Sequence, residues 1–351
     1  MSRSSPRAQP AKWNPADYAA NSVVQQNWAR ELIAKLKLRG DEHVLDVGCG
    51  DGKVTAEIAH AVPRGSATGI DASAEMIDFA QKTFPAKKCP NLEFHVMDAR
   101  KIKAPKFLPH SAPERRSPTQ RISVGVQASA CLGDTLKREL QRAGSETGAP
   151  FDVIFSNAAL HWVDDHQAIL RGMASVLKPG GRLIVSCGGK GNAQDVFVAL
   201  RPEMRLKRWR EFFRRIPKPY FFYSTADYER WLPKFGFKIH KLKLAPKDAT
   251  YAGADGFAAW LRTTWLPYVQ RVPEDQREAF IAAVTERYVA KHSPDAEGNV
   301  HVRMVRLEIN AVKIWPRNTR TTQKLFLVGR ASLRAASVAV NPARQEPRPT
   351  S

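Results

Sequence analysis

The most constraining feature of this sequence is a short apolar run that ends in closely spaced glycines. Residues 43–47 have the composition of a buried strand, and Gly48, Gly50 and Gly52 follow directly. Glycines at a strand-to-helix turn let a ligand approach the backbone, and the helix behind them offers unpaired N–H groups to an anionic group. The pattern predicts a ligand-binding turn at the carboxyl end of a strand.

Periodicity predicts that strands and helices alternate over most of the chain. The predicted strands are residues 43–47, 66–70, 92–97, 151–155, 182–187, 237–244 and 302–312. The predicted helices are residues 13–38, 53–61, 73–84, 166–176, 193–213, 225–235, 255–268 and 273–291. Strands that alternate with helices through short connections favour an α/β protein with a parallel sheet.

Residues 102–150 interrupt this alternation. They contain five prolines and many basic residues with little periodicity, and so long a structureless stretch is uncommon inside a compact domain. We predict that they form a disordered insertion that loops out after the third strand. Residues 1–12 and 315–351 are predicted to be disordered tails of one domain over 13–314, which carries a helical insert at 254–292 on its substrate side.

The net charge of +21 is the one unusual bulk property of the chain. Residues 1–12, 101–150 and 312–351 together carry +15 of it, whereas residues 13–100, which contain the glycine turn, are slightly acidic. Because the charge is concentrated in segments that are predicted to be peripheral, solvated segments explain it better than a surface for nucleic acid. We therefore do not expect a nucleic-acid partner, although a polyanion surface stays as the alternative.

The sequence contains no signal for export or membrane insertion. No apolar run approaches the roughly 18 residues of a membrane span, and residues 1–12 lack the apolar core of a secretory signal. The four cysteines contain no C-x-x-C pair, so no zinc or redox motif is predicted and no metal site is expected. Free thiols suit a reducing compartment, and we expect a cytoplasmic protein.

Two acidic residues flank the glycine turn. Asp46 ends the strand before it, and Asp71 ends the next predicted strand, where a carboxylate can accept both hydroxyls of an adenosine ribose. An acid at this distance also occurs in NAD sites, but those need G-x-G-x-x-G to seat a pyrophosphate, and this turn is G-x-G-x-G. S-adenosylmethionine has no phosphate: an acid can serve its ammonium group, and backbone N–H groups can serve its carboxylate. The pattern favours this cofactor.

Several motifs together make the sequence resemble a known family. They are residues 44–52 (VLDVGCGDG), 69–73 (GIDAS) with Met76, Asp98 with Ala99, 151–162 (FDVIFSNAALHW) and 177–183 (LKPGGRL). With them the chain resembles class I S-adenosylmethionine-dependent methyltransferases. From Trp13 to about Ile314, without 102–150, it is most similar to the trans-aconitate methyltransferase group, as is the late segment Trp260 to Tyr268.

The resemblance implies a fold, an activity and a set of cofactor contacts. The fold is a Rossmann-like, mostly parallel sheet of seven strands with helices on both faces. The activity is methyl transfer to a small-molecule acceptor, with a carboxylate oxygen as the favoured acceptor atom. The implied cofactor residues are Asp46, Gly48, Gly50, Asp71, Ala72, Met76, Asp98, Ala99 and Asn157. Asp98 would meet the adenine amino group, Ala99 would offer its N–H to the ring, and Asn157 or Ala158 would line the methionine end.

The acceptor site is less strongly marked in the sequence. A carboxylate acceptor is already ionised at pH 7, so it needs hydrogen-bond donors that hold it rather than a general base. His161 and Trp162 follow the fourth strand, at the edge where open α/β sheets bind ligands. The other candidates, chosen by position, are Gln25, Gln26, Arg262 and Tyr268. Each also has a plain structural interpretation, as a pocket wall, core packing or a surface charge.

Residues 205–215 interleave basic and aromatic side chains (RLKRWREFFRR). Such a run suits either an amphipathic helix with buried aromatics and solvated arginines, or a surface for bases and phosphates. Two other functions therefore stay open beside the small-molecule enzyme. One is methylation of a carrier-bound acyl carboxylate, with the basic helix against an acidic carrier. The other is a non-catalytic nucleic-acid-binding protein on a methyltransferase fold.

Overall fold

The computed structural model describes residues 13–15, 18, 23–103 and 149–314. The strands are β1 (His43–Val47), β2 (Ser66–Asp71), β3 (Leu92–Val96), β4 (Phe151–Asn157), β5 (Leu177–Gly188), β6 (Phe237–Ala252) and β7 (Asn299–Lys313). The helices are α1 (Val23–Leu36), α2 (Lys53–Ala61), α3 (Ala74–Thr83), α4 (His166–Val176), α5 (Gln194–Arg205), α6 (Thr225–Trp231), α7 (Gly253–Thr264), α8 (Leu266–Val269) and α9 (Arg277–Val289). The predicted tails and most of the predicted insertion at 102–150 lie outside the described residues.

The strands form one seven-stranded sheet in the order β3-β2-β1-β4-β5-β7-β6. β1 to β5 are parallel, and β7 is antiparallel to both β5 and β6. The prediction of a Rossmann-like, mostly parallel sheet of seven strands is confirmed. Since β4 pairs with β1 on the side opposite β2, the direction of sheet growth reverses between β1 and β4. Open α/β sheets bind ligands in the crevice that such a reversal leaves at the carboxyl ends of the strands.

Helices cover both faces of the sheet. On one face, Leu36 of α1 and Ile58 of α2 pack in a buried cluster that includes Val44 of β1. On the opposite face, Ile169 of α4 packs in a second buried cluster that includes Leu45. Adjacent residues of a strand point to opposite faces, so a strand that is covered on both sides favours apolar residues on both of them. This explains why Val44, Leu45 and Val47 of β1 are all apolar, with Asp46 as the buried exception.

The helical insert after β6 builds a third buried cluster. Phe257 and Trp260 of α7 pack there with Phe280 of α9 and Val302 of β7. The last residue of β5, Gly188, pairs with Arg306, so residues 299–305 of β7 extend beyond the carboxyl end of β5. The extended ends of β6 and β7, together with the insert, therefore form a wall beside the ligand crevice.

One predicted strand is longer in the structure because tertiary pairing overrides the local pattern. β6 continues to Ala252, eight residues beyond the predicted end, because its pairing with β7 continues to Asn299. Pro246 lies in this extension on an exposed side, which an edge strand tolerates because the strand's outer N–H groups need no partner. The loss of apolar–basic alternation after Leu244 therefore did not mark the end of the strand.

Two predicted helices end or divide earlier than expected. The helix predicted at 193–213 ends at Arg205, and Leu206 is extended, which lets Trp209 reach the core. The helix predicted at 255–268 is divided at Trp265, two residues before Pro267, whose ring removes a backbone donor. Of the helix predicted at 13–38, residues 15, 18 and 23–36 are helical among the described residues, and residues 23–36 form α1.

Candidate active site

The glycine turn after β1 lies at the reversal of the sheet. The backbone N–H groups of Gly48 and Cys49 donate to the carbonyl oxygen of Ile70 at 2.7 and 3.0 Å, which ties the turn to β2. Gly48 and Gly50 have φ angles of 78° and 54°, in the left-handed region that L side chains rarely adopt. A Cβ on Gly48 would lie 2.1 Å from that of Ala159, whereas the nearest atom to one on Gly50 is a ring carbon of Tyr18 at 3.9 Å. Gly48 therefore permits close packing, and Gly50 leaves space for a ligand.

Asp71 joins this turn to the start of α3. One carboxylate oxygen accepts the N–H of Gly50 at 3.1 Å, and the other accepts the N–H of Ser73 at 2.9 Å. Burial raises the pKa of Asp71, and these backbone donors oppose that rise. Ala72 is exposed between Asp71 and the helix. The structure thus brings together three of the predicted cofactor residues, Gly50, Asp71 and Ala72, at one end of the crevice.

Asp46 lies in a different environment from Asp71. Its side chain is only 2% exposed, and Oδ2 accepts the hydroxyl of Thr55 from α2 at 2.7 Å. Burial raises the pKa of Asp46 to about 7, and the nearby carboxylate of Asp71 adds to the rise. Asp46 therefore joins β1 to α2, and its predicted contact with an ammonium group stays a prediction that this burial does not favour.

Asp51, which the sequence analysis did not select, is a second acid on the turn. Its side chain is buried, and Oδ1 accepts the N–H of Lys53 at 3.3 Å. Its Oδ2 lies 3.4 Å from the ammonium nitrogen of Lys53 but accepts no hydrogen bond within the described part of the chain. A buried carboxylate oxygen in this state can still accept a hydrogen bond from a cationic ligand. The signal in the sequence was its place between two of the turn glycines.

Asp98 and Ala99 follow β3 at the next position along the edge. Asp98 accepts hydrogen bonds from the guanidinium of Arg100 at 2.8 to 3.2 Å, and Arg100 also reaches Asp164 at 3.0 Å. The side-chain bond from Arg100 is the main reason that the pKa of Asp98 lies below its usual range. The carboxylate is thus ionised and engaged, and an adenine amino group would share it with Arg100. Met76 is buried on α3.

A pocket lined mainly by aromatic rings lies beyond the carboxyl ends of β4 and β5. Its lining includes Trp13, Tyr18, Trp28, Trp162, Tyr220 and Phe222, together with Ala158, His161 and Arg306. Ala158 and Ala193 on its wall have φ angles of 55° and 49°. Non-glycine residues in the left-handed region are strained, and they persist where the surrounding structure fixes them, often at binding sites.

His161 enters the pocket as a neutral donor. The backbone N–H of Gly188 donates to Nδ1 of His161 at 3.3 Å, which leaves Nε2 to carry the proton. Burial lowers the pKa of His161 to about 3, and the nearby charge of Arg306 lowers it further. Nε2 makes no hydrogen bond to any described residue. Trp162 lies next to it, 4.9 Å from the ring of Tyr220, as part of the wall.

Arg306 is a pocket residue that the sequence analysis missed. It is 4% exposed, and its guanidinium donates to the carbonyl and hydroxyl oxygens of Ser186 and to Oδ1 of Asn157 at 2.7 to 3.2 Å. Asn157 is therefore an anchor for Arg306 as well as a predicted cofactor residue. The signal in the sequence was the two-residue alternation of the strand, which puts Arg306 on the same face of β7 as the buried Val302 and Met304.

A match to a family model identifies the kind of protein that carries this site. A family model described as a methyltransferase domain matches residues 21–242, more than half of the chain. The chain belongs to the methyltransferase domain family. The trans-aconitate 2-methyltransferase of Rhodopseudomonas palustris (strain BisB5) is 25% identical over 317 residues, which cover 86% of this chain and 100% of that protein. An uncharacterized methyltransferase of Schizosaccharomyces pombe is 26% identical over 232 residues, which cover 65% of this chain and 71% of that protein.

Among solved structures, the YcgJ protein from Bacillus subtilis matches with a TM-score of 0.47 at 16% identity, covering 83% of this chain and 100% of that chain. The match to the family model confirms the predicted family, and membership of this family supports S-adenosylmethionine as the cofactor. The residues of this methyltransferase fit S-adenosylmethionine in two ways. The open cradle at Gly50, beside the carboxylate of Asp71, suits a ribose, and Oδ2 of Asp51 can accept from an ammonium group.

The other predicted acceptor residues whose side chains are described do not line the aromatic pocket of the methyltransferase. Arg262 forms an ion pair with Glu278 at 2.5 Å and lines a different cavity, beside Leu266. Gln26 donates to Glu57 at 2.9 Å, and Tyr268 is buried against other aromatic rings. The side chain of Gln25 lies outside the described residues. Of the candidates whose side chains are described, only His161 and Trp162 line the pocket.

The basic and aromatic run at 205–215 divides by exposure in the folded methyltransferase. Trp209 and Phe213 are buried, with ring centroids 5.4 and 5.3 Å from that of Phe280, whereas Arg208 and Arg210 are exposed. Rings packed in this way are not open for stacking on bases.

No group of side chains suited to a metal occurs within 13–15, 18, 23–103 and 149–314. Over the same residues, no helix is long and apolar enough to cross a membrane.

Proposed function

We propose that this methyltransferase transfers a methyl group from S-adenosylmethionine to a carboxylate oxygen of a small acceptor. The observation that supports this proposal is the lack of a general base among the described residues of the aromatic pocket. The titratable residues that line the pocket, among the described residues, are Tyr18, His161, Tyr220 and Arg306. Burial raises the pKa of both tyrosines and lowers that of His161, so near pH 7 the tyrosines and the histidine are neutral and Arg306 is cationic.

The chemistry of the acceptor follows from this set of groups. An alcohol or ammonium acceptor must lose a proton before or during methyl transfer, and it needs a base with a matched pKa. Nδ1 of His161 already accepts the N–H of Gly188, and the hydroxyl of Tyr220 donates to the carbonyl oxygen of Thr264 at 2.9 Å. A carboxylate is ionised at pH 7 and needs only donors, which His161 Nε2 and Arg306 supply.

The residues of the chain act mainly by positioning. When bound, the cofactor would supply a methyl group on a sulfonium sulfur: the acceptor oxygen would form the new bond to the methyl carbon while the carbon–sulfur bond breaks, and the electron pair of the broken bond would stay on sulfur. The glycine turn and Asp71 would hold the cofactor at the end of β1, and the aromatic rings would limit the access of water to the adjoining pocket. Nε2–H of His161 orients the acceptor oxygen for in-line attack.

Relatives of similar length support a small acidic acceptor. The match to the trans-aconitate 2-methyltransferase of R. palustris extends over 100% of that protein, and a protein of the same name from Agrobacterium fabrum is 26% identical over 312 residues. The domain boundary at 13–314, the late insert as the substrate-side element and the cytoplasmic location remain parts of this proposal.

The test is a product assay with matched acceptors. The purified chain is incubated with S-adenosylmethionine and trans-aconitate, and products are identified by mass spectrometry; the corresponding triamide and an alcohol of similar size are the controls. We expect a methyl ester from the acid, removed by mild alkali, and no product from the controls. Methylation of the alcohol, or of no carboxylic acid in a wider panel, would contradict carboxylate O-methylation.

A further inference from the structure

Arg306 is buried as a cation without an acidic partner. No carboxylate lies within ion-pair distance of it over the residues that the structure describes, and the nearby Glu308 is approached instead by three lysines at 3.8 to 4.0 Å. Burial lowers the pKa of Arg306 to about 10. Removing a guanidinium from water without a counter-charge is costly, and such groups usually meet an anion or serve a site.

The hydrogen bonds of Arg306 fix it with one nitrogen unused. Nε and Nη2 donate to Ser186 and Asn157, and the ring of Trp28 lies 5.1 Å from Cζ. Nη1 donates to no described residue. Because the other two nitrogens and the ring hold the guanidinium plane, Nη1–H is oriented before any ligand arrives. A rigid donor that carries a full charge is suited to a carboxylate.

The two donors of the pocket differ in what they do to a bound carboxylate. An ion pair with a guanidinium withdraws charge from a carboxylate oxygen and makes that oxygen a weaker nucleophile. A hydrogen bond from the neutral Nε2–H of His161 weakens the nucleophile less. The oxygen that accepts the methyl group is therefore better placed on His161. Arg306 is then left for a carboxylate that is bound but not methylated.

We propose that Arg306 is the specificity-determining residue of the acceptor site, and that it binds a second carboxylate of an acceptor that carries at least two. This rests on the proposed function, because it assumes that the methylated group is also a carboxylate. It adds a requirement that the proposed function lacks: monocarboxylic acids of similar shape should be poor substrates.

The experiment compares two acids and three variants. The acids are trans-aconitate and the monocarboxylate crotonate. The variants are Arg306→Met, Arg306→Lys and the matched control Arg303→Met, an exposed arginine of the same strand that pairs with Asp195. We expect Arg306→Met to lower kcat/KM for trans-aconitate by about 100-fold or more, mainly through KM, and to change that for crotonate less than threefold. Arg303→Met should change neither.

The outcomes separate this inference from the proposed function. If Arg306→Met lowers kcat/KM equally for both acids, the residue is structural and the inference is wrong, although carboxylate methylation stands. If the parent protein methylates neither of these acids nor any carboxylic acid in the wider panel, the proposed function fails. Calorimetry of trans-aconitate with the S-adenosylhomocysteine complex then decides the inference: binding that Arg306→Met abolishes supports the anion site, and no binding to the parent protein overturns it.

Folding of the variants is checked by circular dichroism and by affinity for S-adenosylhomocysteine. If Arg306→Met does not fold, Arg306→Lys decides. Lysine keeps the charge but cannot reproduce the planar set of bonds to Ser186 and Asn157. We then expect the preference for trans-aconitate over crotonate to fall at least tenfold, and an unchanged preference overturns the proposal.

Discussion

Nδ1 of His161 accepts the backbone N–H of Gly188 at 3.3 Å, so the imidazole beside the acceptor pocket can only donate from Nε2. His161→Asn places an oxygen near Nδ1 and keeps an acceptor for Gly188, but it removes the donor at Nε2. We expect the KM for the acceptor to rise about tenfold, consistent with the loss of one hydrogen bond to a charged group.

The pH profile checks the same relationship. Since burial lowers the pKa of His161 to about 3, the parent enzyme should show no change in kcat/KM that belongs to this histidine between pH 5 and 8. Steady-state rates in His161→Asn and in the parent should therefore have profiles of the same shape. A limb near pH 6.5 that disappears in the variant would mean that His161 acts as a base.

His166 should make stability depend on pH. It is 2% exposed, with its ring nitrogens against the hydroxyl of Tyr228 at 2.5 Å and the carbonyl oxygen of Leu160 at 2.8 Å. Burial lowers its pKa from 6.5 to about 4, so the unfolded chain binds the proton more readily below pH 6.5. The stabilisation is complete above pH 6.5 and is lost as the pH falls towards 4, by up to about 3 kcal/mol.

Urea unfolding between pH 7 and 4 measures this effect. His166→Gln should reduce the slope of the unfolding free energy against pH, and the exposed His60→Gln is the matched control that should leave it unchanged. An identical slope in His166→Gln and in the parent protein would rule out His166 as a source of acid sensitivity.

Asp71 should be required for cofactor binding. Its two oxygens accept the N–H groups of Gly50 and Ser73, and an amide in its place can accept through only one atom and carries no charge. We expect Asp71→Asn to weaken S-adenosylhomocysteine binding about 100-fold in calorimetry. Asp78→Asn, an exposed position on α3, is the control that should bind like the parent. Full affinity in Asp71→Asn would remove this residue from the cofactor site.

A comparison of two glycines with similar backbone conformations distinguishes the effect of backbone strain from the effect of ligand contact. Gly50 and Gly180 have φ angles of 54° and 78°, and a Cβ on Gly180 would meet nothing within 4 Å. Alanine at either position should cost about 1 kcal/mol of stability because the left-handed region disfavours a Cβ. Only Gly50→Ala should weaken S-adenosylhomocysteine binding, by tenfold or more; equal affinities would show that the cofactor does not approach Gly50.

The sequence alone determined the features of this methyltransferase that depend on near neighbours along the chain. An apolar run followed by glycines encodes β1 and its turn, and Asp71 ends β2, whose pairing with β1 places it beside Gly50. Strands and helices whose periodicity is uninterrupted were predicted close to their observed bounds. These signals are local because backbone conformation and the faces of an element are set within a few residues.

Only the tertiary structure decided which polar side chains share the acceptor pocket. Arg306 meets Asn157 across 149 residues and Ser186 across 120, so no local pattern records its burial or its unused Nη1. Arg262 was the cation that the sequence favoured for the acceptor site, but the fold pairs it with Glu278 outside the pocket. A guanidinium binds or is neutralised according to what the fold places within about 4 Å of it, because electrostatic and hydrogen-bond energies depend on distance in space.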